Sequence, residues 1–226
     1  MTELTLALEG STYAGSVAVI RGTEVIADVT LEGIDGNVPA AGRGERMLPA
    51  VAECLKRSGV NGRDVARIIC GAGPGRFTSL RVAGAVAKGL ATGYAIDLYA
   101  VSSLLLIVAA ADPSLGEGEY LAVLDAMRGD CFCARVGIAA DGVISERGSA
   151  VVRSSREIQE LATAEPELRL VGPGQRIAGA PHARGVSKLL PQIIAAGPVK
   201  LASWEPDYGR LPEAQVKREA AERPVR

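Results

Sequence analysis

The sequence predicts an α/β protein made of two tandem lobes of the same order, β-β-β-α-β. Three observations predict it. Two segments, 4–31 and 120–151, each read as three short apolar strands separated by tight turns. Each is followed by a stretch with helical spacing and then by another short β-branched or apolar run. Each of those later runs ends in the same tripeptide, Gly73-Pro74-Gly75 in the first half and Gly172-Pro173-Gly174 in the second. The halves show no matching spacing, so the repeat is one of architecture.

In the first half Leu4 to Leu8 alternates with small residues, Glu9-Gly10-Ser11-Thr12 turns the chain, and Gly15 to Ile20 is the second strand. Arg21-Gly22-Thr23 turns again into Glu24 to Leu31, giving an antiparallel meander. The segment from Gly33 to Gly44 is rich in Gly, Pro, Asn and Asp and predicts a long functional or mobile loop. From Glu45 to Arg57, Met47, Leu48, Val51, Cys54 and Leu55 mark one helical face, which Ser58-Gly59 ends. Arg67 to Cys70 is a buried strand. After it Gly71-Ala72-Gly73-Pro74-Gly75 forces a tight turn, because Gly accepts positive φ and Pro fixes its own. A helix follows from Thr78 to Leu90, with Val82, Val86 and Leu90 on one stripe and Ala83, Ala87 and Ala91 on the next. A strand from Ala95 to Val101 completes the half.

An apolar helix, Ser102 to Ala111, leads into the second half. Tyr120 to Leu124, Cys131 to Ile138 and Gly142 to Val151 read as strands, with Asp141-Gly142 as a hairpin turn. Ser154 and Glu157 stand at capping-box spacing at the head of a helix, and Leu168 to Val171 is the next strand. The expected division is a first lobe over 1–108, rejoined by the segment 198–226, and a smaller second lobe over 109–197.

Composition excludes several functions. Apolar residues are 48% of the 226, enough for a sizeable core. Basic and acidic residues nearly balance, 25 against 26, so this chain alone has no field for sequence-independent nucleic-acid binding. Aromatic content of 4% leaves few platforms for stacking bases. Met1-Thr2-Glu3-Leu4 carries an acid where a signal peptide carries Lys or Arg, and the uncharged run from Tyr99 to Ala111 is too short for a bilayer. A cytoplasmic protein is expected. Cys54, Cys70, Cys131 and Cys133 lie in apolar segments without Cys-x-x-Cys spacing and read as free thiols. Cys131 and Cys133 share a strand face but have no second pair to complete a metal site.

The stretch from Gly71 to Leu90 sets a strand, a glycine turn and a helix in a row, which leaves free N–H groups at the helix start. A Walker A loop would end in Gly-Lys-Ser/Thr, which is absent. The dinucleotide fingerprint would need a third glycine where Arg76 or Thr78 stands, although Asp97 on the next strand keeps that reading open. A structural strand-to-helix turn is the plainer alternative. Gly84, Ala83, Ala87 and Gly89 make the helix narrow enough for close approach by a second one.

Gly73 to Leu90, read as Gly-Pro-Gly-x-Phe-Thr-x-Leu-Arg-x-x-x-x-x-x-Lys-Gly-Leu, resembles the signature of the TsaB family. That family is the non-catalytic partner of the tRNA threonylcarbamoyladenosine transferase, within the actin-like ATPase superfamily. Leu4 to Val19 and Val123-Leu124-Asp125-Ala126-Met127-Arg128-Gly129-Asp130 are similar to it too, and Glu205-Pro206-Asp207-Tyr208-Gly209-Arg210 resembles a degenerate Pro-x-Tyr-Leu-Arg. Arg76, Ser79, Glu9 and Met127 depart from the family pattern. The resemblance implies an actin-like, ribonuclease H-like fold of duplicated β-β-β-α-β-α lobes.

It also implies a scaffold and dimerisation subunit rather than an enzyme. The expected partners are the catalytic threonylcarbamoyltransferase subunit, an ATPase subunit and a second copy of the chain when alone, with tRNA reached only through the complex. The expected partner surface is the helix pair, through Met47, Val51, Leu55, Phe77, Leu80, Arg81, Gly84, Ala87 and Lys88. In such folds two acidic turns hold a metal-bound nucleotide across a cleft, which makes Glu9, Ser11, Thr12, Gly73, Gly75 and Asp125 the candidate nucleotide contacts. The plain alternative is a set of polar turn residues. No tightly bound cofactor is expected, with ATP or ADP held weakly or at the partner interface. No resident metal is expected: His182 is the one histidine, whereas the catalytic relative binds metal through a His-x-x-x-His pair on the helix matching Glu45 to Arg57. For the same reason a peptidase reading fails, and no Gly-x-Ser-x-Gly elbow is present. The rival reading is an ATP-dependent small-molecule kinase or ATPase of the same fold, with Asp125 as base.

Overall fold

A computed structural model describes residues 2–31 and 46–209. The expected loop from Gly33 to Gly44, Glu45 and Arg210 lie outside the described residues. The first sheet has the order β3-β2-β1-β4-β5, from β1 (Leu4–Glu9), β2 (Ser16–Arg21), β3 (Glu24–Thr30), β4 (Val65–Gly71) and β5 (Asp97–Val101). β1, β2 and β3 pair antiparallel, while β4 lies parallel to both β1 and β5. Helix α1 (Met47–Ser58) precedes β4 and α2 (Phe77–Tyr94) follows it. Gly59, with φ of 66°, closes α1 by donating to Leu55 O and Lys56 O, the stop that Ser58-Gly59 predicts.

The second sheet repeats the plan with β6 (Gly118–Met127), β7 (Asp130–Ile138), β8 (Ile144–Glu146), β9 (Val151–Ser154), β10 (Arg169–Gly172) and β11 (Ile177–Ala178), in the order β11-β10-β6-β7-β8. The strand expected over Gly142 to Val151 is two strands. β8 pairs with the end of β7 and β9 with its start, and the chain breaks between them at Gly148, whose φ is +105°. The Ser154–Glu157 capping box heads a helix over Ser155–Ala164, as its spacing predicts.

One apolar helix joins the sheets. All seven residues of Ser103–Ala109 (α3, the capped helix Ser155–Ala164 being α4) are buried. A helix apolar all round must be covered on every side. Here Ala7, Ala18, Ile20 and Ile69 of the first sheet and Tyr120, Leu124, Phe132 and Val136 of the second share one core with it. Helix α5 (Val186–Ala196) closes that core through Val186, Leu189, Leu190 and Ile193. On the far face of the first sheet Leu6, Leu8, Val17 and Ile68 pack with Met47, Val51, Cys54, Ala83 and Ala87 of α1 and α2. Strand β1 therefore sends its large residues to the outer helices and Ala7 to the central one. On the far face of the second sheet Leu121, Val123 and Cys133 pack with Ile158 of α4.

The segment after α5 returns to the first lobe. Val199 N donates to Leu98 O (2.8 Å), and Val199, Leu201 and Trp204 pack on the outer core. No helix among the described residues is long and apolar enough to cross a membrane.

Gly84 of α2 is buried, and a Cβ there would lie 3.1 Å from Pro206 and 3.6 Å from Trp204. Gly89 on the same helix has nothing within 4 Å. Gly84→Leu is expected to lower the melting temperature, by an overpacking cost of about 1–3 kcal/mol. Gly89→Leu is expected to raise it slightly, since Gly costs a helix about 1 kcal/mol relative to good helix formers. Thermal unfolding of the two variants side by side checks this; equal shifts would refute it.

Candidate functional site

The candidate site is the crevice where the loop after β4 meets the turn after β1. Glu9, at the end of β1, is fully buried. Its Oε1 accepts from Ser11 N at 2.5 Å and its Oε2 from Ser103 Oγ at 2.9 Å. Ser103 Oγ in turn accepts from Gly73 N (3.1 Å), and Ser103 N donates to Gly73 O (2.8 Å). One carboxylate thus fastens the turn, the glycine loop and the head of α3 together. Burial pushes the Glu9 carboxyl above its ordinary range, opposed by the hydrogen bonds from Ser11 and Ser103. Burial, with Glu9 adjacent, likewise pushes the Cys70 thiol up, and burial pushes that of Cys54 up to about 11.

Each glycine of the loop faces protein. A Cβ on Gly71 would overlap the Glu9 carboxylate, one on Gly73 would overlap Asp207 O, and one on Gly75 would sit 2.5 Å from Ser11 Cβ. Arg76 N donates to Ser11 O (2.8 Å), so the backbone at the head of α2 is also engaged. Ser11 Oγ is buried without a hydrogen-bond partner, beneath Gly75. Thr12 is half-buried, and its carbonyl receives Gly15 N.

The second lobe contributes Asp125, which is exposed. Its Oδ1 accepts from Met127 N (2.8 Å), and its Oδ2 lies 3.8 Å from the Arg76 guanidinium, which stacks 3.9 Å over the Tyr13 ring. Arg76 thus spans the crevice mouth. Met127 and Arg128, beyond Asp125, both have positive φ, 70° and 59°. Of the two acids expected to face each other across a cleft, Glu9 offers no exposed oxygen and Asp125 points at an arginine. A phosphate cradle needs bare glycine N–H groups and open acids. Gly73 N and both oxygens of Glu9 are already bonded within the chain.

The expected partner residues divide in two. Met47, Val51, Leu80 and Ala87 are buried in the chain's own core, with Leu55 half-buried against it. Gly84 is covered by Pro206, and Lys88 Nζ donates to Trp204 O at 3.0 Å. The small stripe therefore faces inward, because the C-terminal segment lies on it. Phe77 and Arg81 are exposed, the guanidinium 5.2 Å from the ring centroid, and the Tyr208 ring packs against Phe77 at 4.6 Å, tilted by 52°. Tyr13, Tyr208 and the exposed Leu48 join this surface without having been expected there. Leu48 stands one place from Met47 on α1, and the helical period alone could have separated them.

His182 is the other correction. A lone loop histidine reads as solvated, yet its side chain is only 14% exposed and lies between the lobes. Nδ1 accepts from Arg184 N (3.1 Å), which leaves the proton on Nε2, 3.5 Å from Asp28. Burial, with Arg184 nearby, holds its pKa down against the pull of Asp28. Beside it Ala183 N donates to Ser16 Oγ across the lobes (2.9 Å). Among the described residues no three His, Cys, Asp or Glu side chains gather as a metal site.

An acid whose folded pKa lies above its ordinary 4.5 binds more protons folded than unfolded, so its contribution to stability falls as pH rises through that window. Relative to Glu9→Gln, the wild-type chain should therefore lose stability as pH rises from about 4 towards 8. Urea unfolding of both proteins across that range is the check, and a constant difference between them would contradict it.

With this geometry in hand, known proteins resemble the chain as follows. The family model described as "TsaD: tRNA N6-adenosine threonylcarbamoyltransferase" matches residues 24–170, well over half of the chain. The tRNA threonylcarbamoyladenosine biosynthesis protein TsaB of Escherichia coli (strain K12) is 30% identical over 131 residues, 58% of this chain and 57% of that protein. The chain thus matches little more than half the length of that curated relative. An uncharacterized protein of Mycobacterium tuberculosis (strain ATCC 25618 / H37Rv) is 32% identical over 181 residues, 78% of this chain and 72% of its own. The solved structure of YeaZ from Pseudomonas aeruginosa superposes with a TM-score of 0.73 at 26% identity, covering 91% of this chain and 99% of that one. The fold is the actin-like, ribonuclease H-like one, and the chain belongs to the TsaB family.

Proposed function

We propose that this chain is a non-catalytic scaffold subunit of the complex that makes threonylcarbamoyladenosine in tRNA next to the anticodon. It pairs with the catalytic transferase subunit, an ATPase subunit completes the assembly, and tRNA is reached through the complex. Its place of action is the cytoplasm. The observation that carries this reading is the sealed crevice. Glu9 is buried under the glycine loop, Arg76 spans the mouth, and the one histidine is engaged in a lobe contact. Glu9 keeps no open oxygen and Asp125 lies against Arg76, so the crevice offers no pair of open acids facing one another for phosphoryl transfer. The similarity to a protein named for threonylcarbamoyladenosine biosynthesis supplies the pathway.

The docking surface is the exposed side of α1 and α2, with Leu48, Phe77 and Arg81, and it serves either the catalytic partner or a second copy of the chain. The crevice needs no nucleotide for this role; any ATP or ADP contact belongs to the partner interface.

Reconstitution with the transferase and ATPase subunits of the same cell tests the reading. Threonylcarbamoyladenosine formation should require this chain, while the chain alone should neither hydrolyse ATP nor modify tRNA. Leu48→Asp should abolish co-elution with the transferase and leave the free energy of unfolding within about 0.5 kcal/mol of wild type, as exposed substitutions do. Full modification without the chain, or ATP turnover by the chain alone, would overturn it.

A further inference from the structure

The segment that returns after α5 reaches the space between the lobes at Gly209, the last of the described residues. Its first anchor is on α2, where Lys88 holds Trp204 O and Pro206 is buried against Gly84. Its second is on the glycine loop, where Asp207 N donates to Ala72 O at 2.7 Å and Asp207 O lies against Gly73. Gly209 N donates to Asp207 Oδ1 (2.7 Å), and that turn brings Gly209, with φ of +67°, between Pro74 of the first lobe and Phe132 of the second. A Cβ there would lie 2.8 Å from Pro74 and overlap the Phe132 ring. Only glycine fits both the conformation and the gap.

We propose that Trp204–Gly209 is an intramolecular clasp that sets the closure of the two lobes, taking at the glycine loop the bridging place that a ligand would otherwise hold. The clasp touches three elements, two of the first lobe and one of the second. It fills the narrow face of α2, caps the carbonyl of the loop, and presses on the second sheet at Phe132. Its bond to the loop is to the backbone of Ala72, Asp207 O leaves no room for a side chain at Gly73, and Pro206 and Gly209 supply the rest of the shape. Tyr208, whose ring packs tilted against Phe77, ties the clasp to the exposed surface at the head of α2. Opening the crevice therefore requires release of the clasp.

Hydrogen exchange on the full chain tests this. The Asp207 amide reports the clasp, and the Ala183 amide, bonded to Ser16 Oγ across the lobes and to no residue of the clasp, reports closure. Gly209→Val is expected to speed exchange at both amides, by roughly tenfold or more, while amides of β1 and β4 keep their protection. Should that variant fail to fold, the double change Pro206→Gly with Tyr208→Ala removes two anchors without adding an atom and should give the same pattern. Faster exchange at Asp207 with Ala183 unchanged would overturn the proposal, as would unchanged protection at both amides in the double variant. The measurement needs no partner, so it is decided separately from the complex-subunit reading.

Discussion

The Ser103 hydroxyl is the point on which the rest of the structure depends. It donates to Glu9 and accepts from Gly73, while its own N–H donates to Gly73 O. Those bonds join the end of β1, the loop after β4 and the first turn of the central helix. Buried polar groups are tolerated when they are mutually satisfied, and they then hold one arrangement strongly. The glycines follow from it. Gly71 must be bare because the Glu9 carboxylate occupies the space above its Cα, and Gly75 because Ser11 does. The feature that reads as a ligand loop is thus a crossing of three chain segments.

The two lobes share a plan but use it differently. In the second lobe Gly172 holds the place of the loop glycine, with φ of 157° and Val123 O where a Cβ would fall. There the chain passes through a short turn to β11, with no long helix before it. The first lobe instead launches the 18-residue α2 from its loop and stacks α1 beside it. Trp204, Pro206 and Tyr208 of the C-terminal segment meet α2 on that side. The asymmetry gives the first lobe both the exposed helical surface and the clasp.

Much of this was legible in the sequence. Strand and helix positions follow from period and turn chemistry, which are local, and the Ser154–Glu157 cap and the Gly59 stop fell where their residues stand. The duplication was visible in the order of elements. The candidate site was less legible because burial is nonlocal. Glu9 reads as an open acid until Ser103, 94 residues away, is found to cover it. The Gly84 stripe reads as a partner surface because spacing shows that something approaches closely and not what; the answer is Pro206. His182 lies in a loop whose composition gives no sign that it docks on β2 and β3. The break between β8 and β9 was signalled by Gly148, but a glycine inside a strand pattern marks either a bulge or a close approach.

The wholly buried helix α3 has a consequence for the order in which the protein is made. It is the link between the lobes and is covered from both sides by sheets on either side of it in the sequence. A nascent chain that has completed β5 has one face of its first sheet, with Ala18, Ile20 and Ile69, still open to water. That face stays open until α3, β6 and β7 have left the ribosome. Half-made chains with such surfaces are the species prone to aggregate. Synthesis of this protein therefore passes through a sticky interval, and the first lobe gains its cover only when the second is nearly complete.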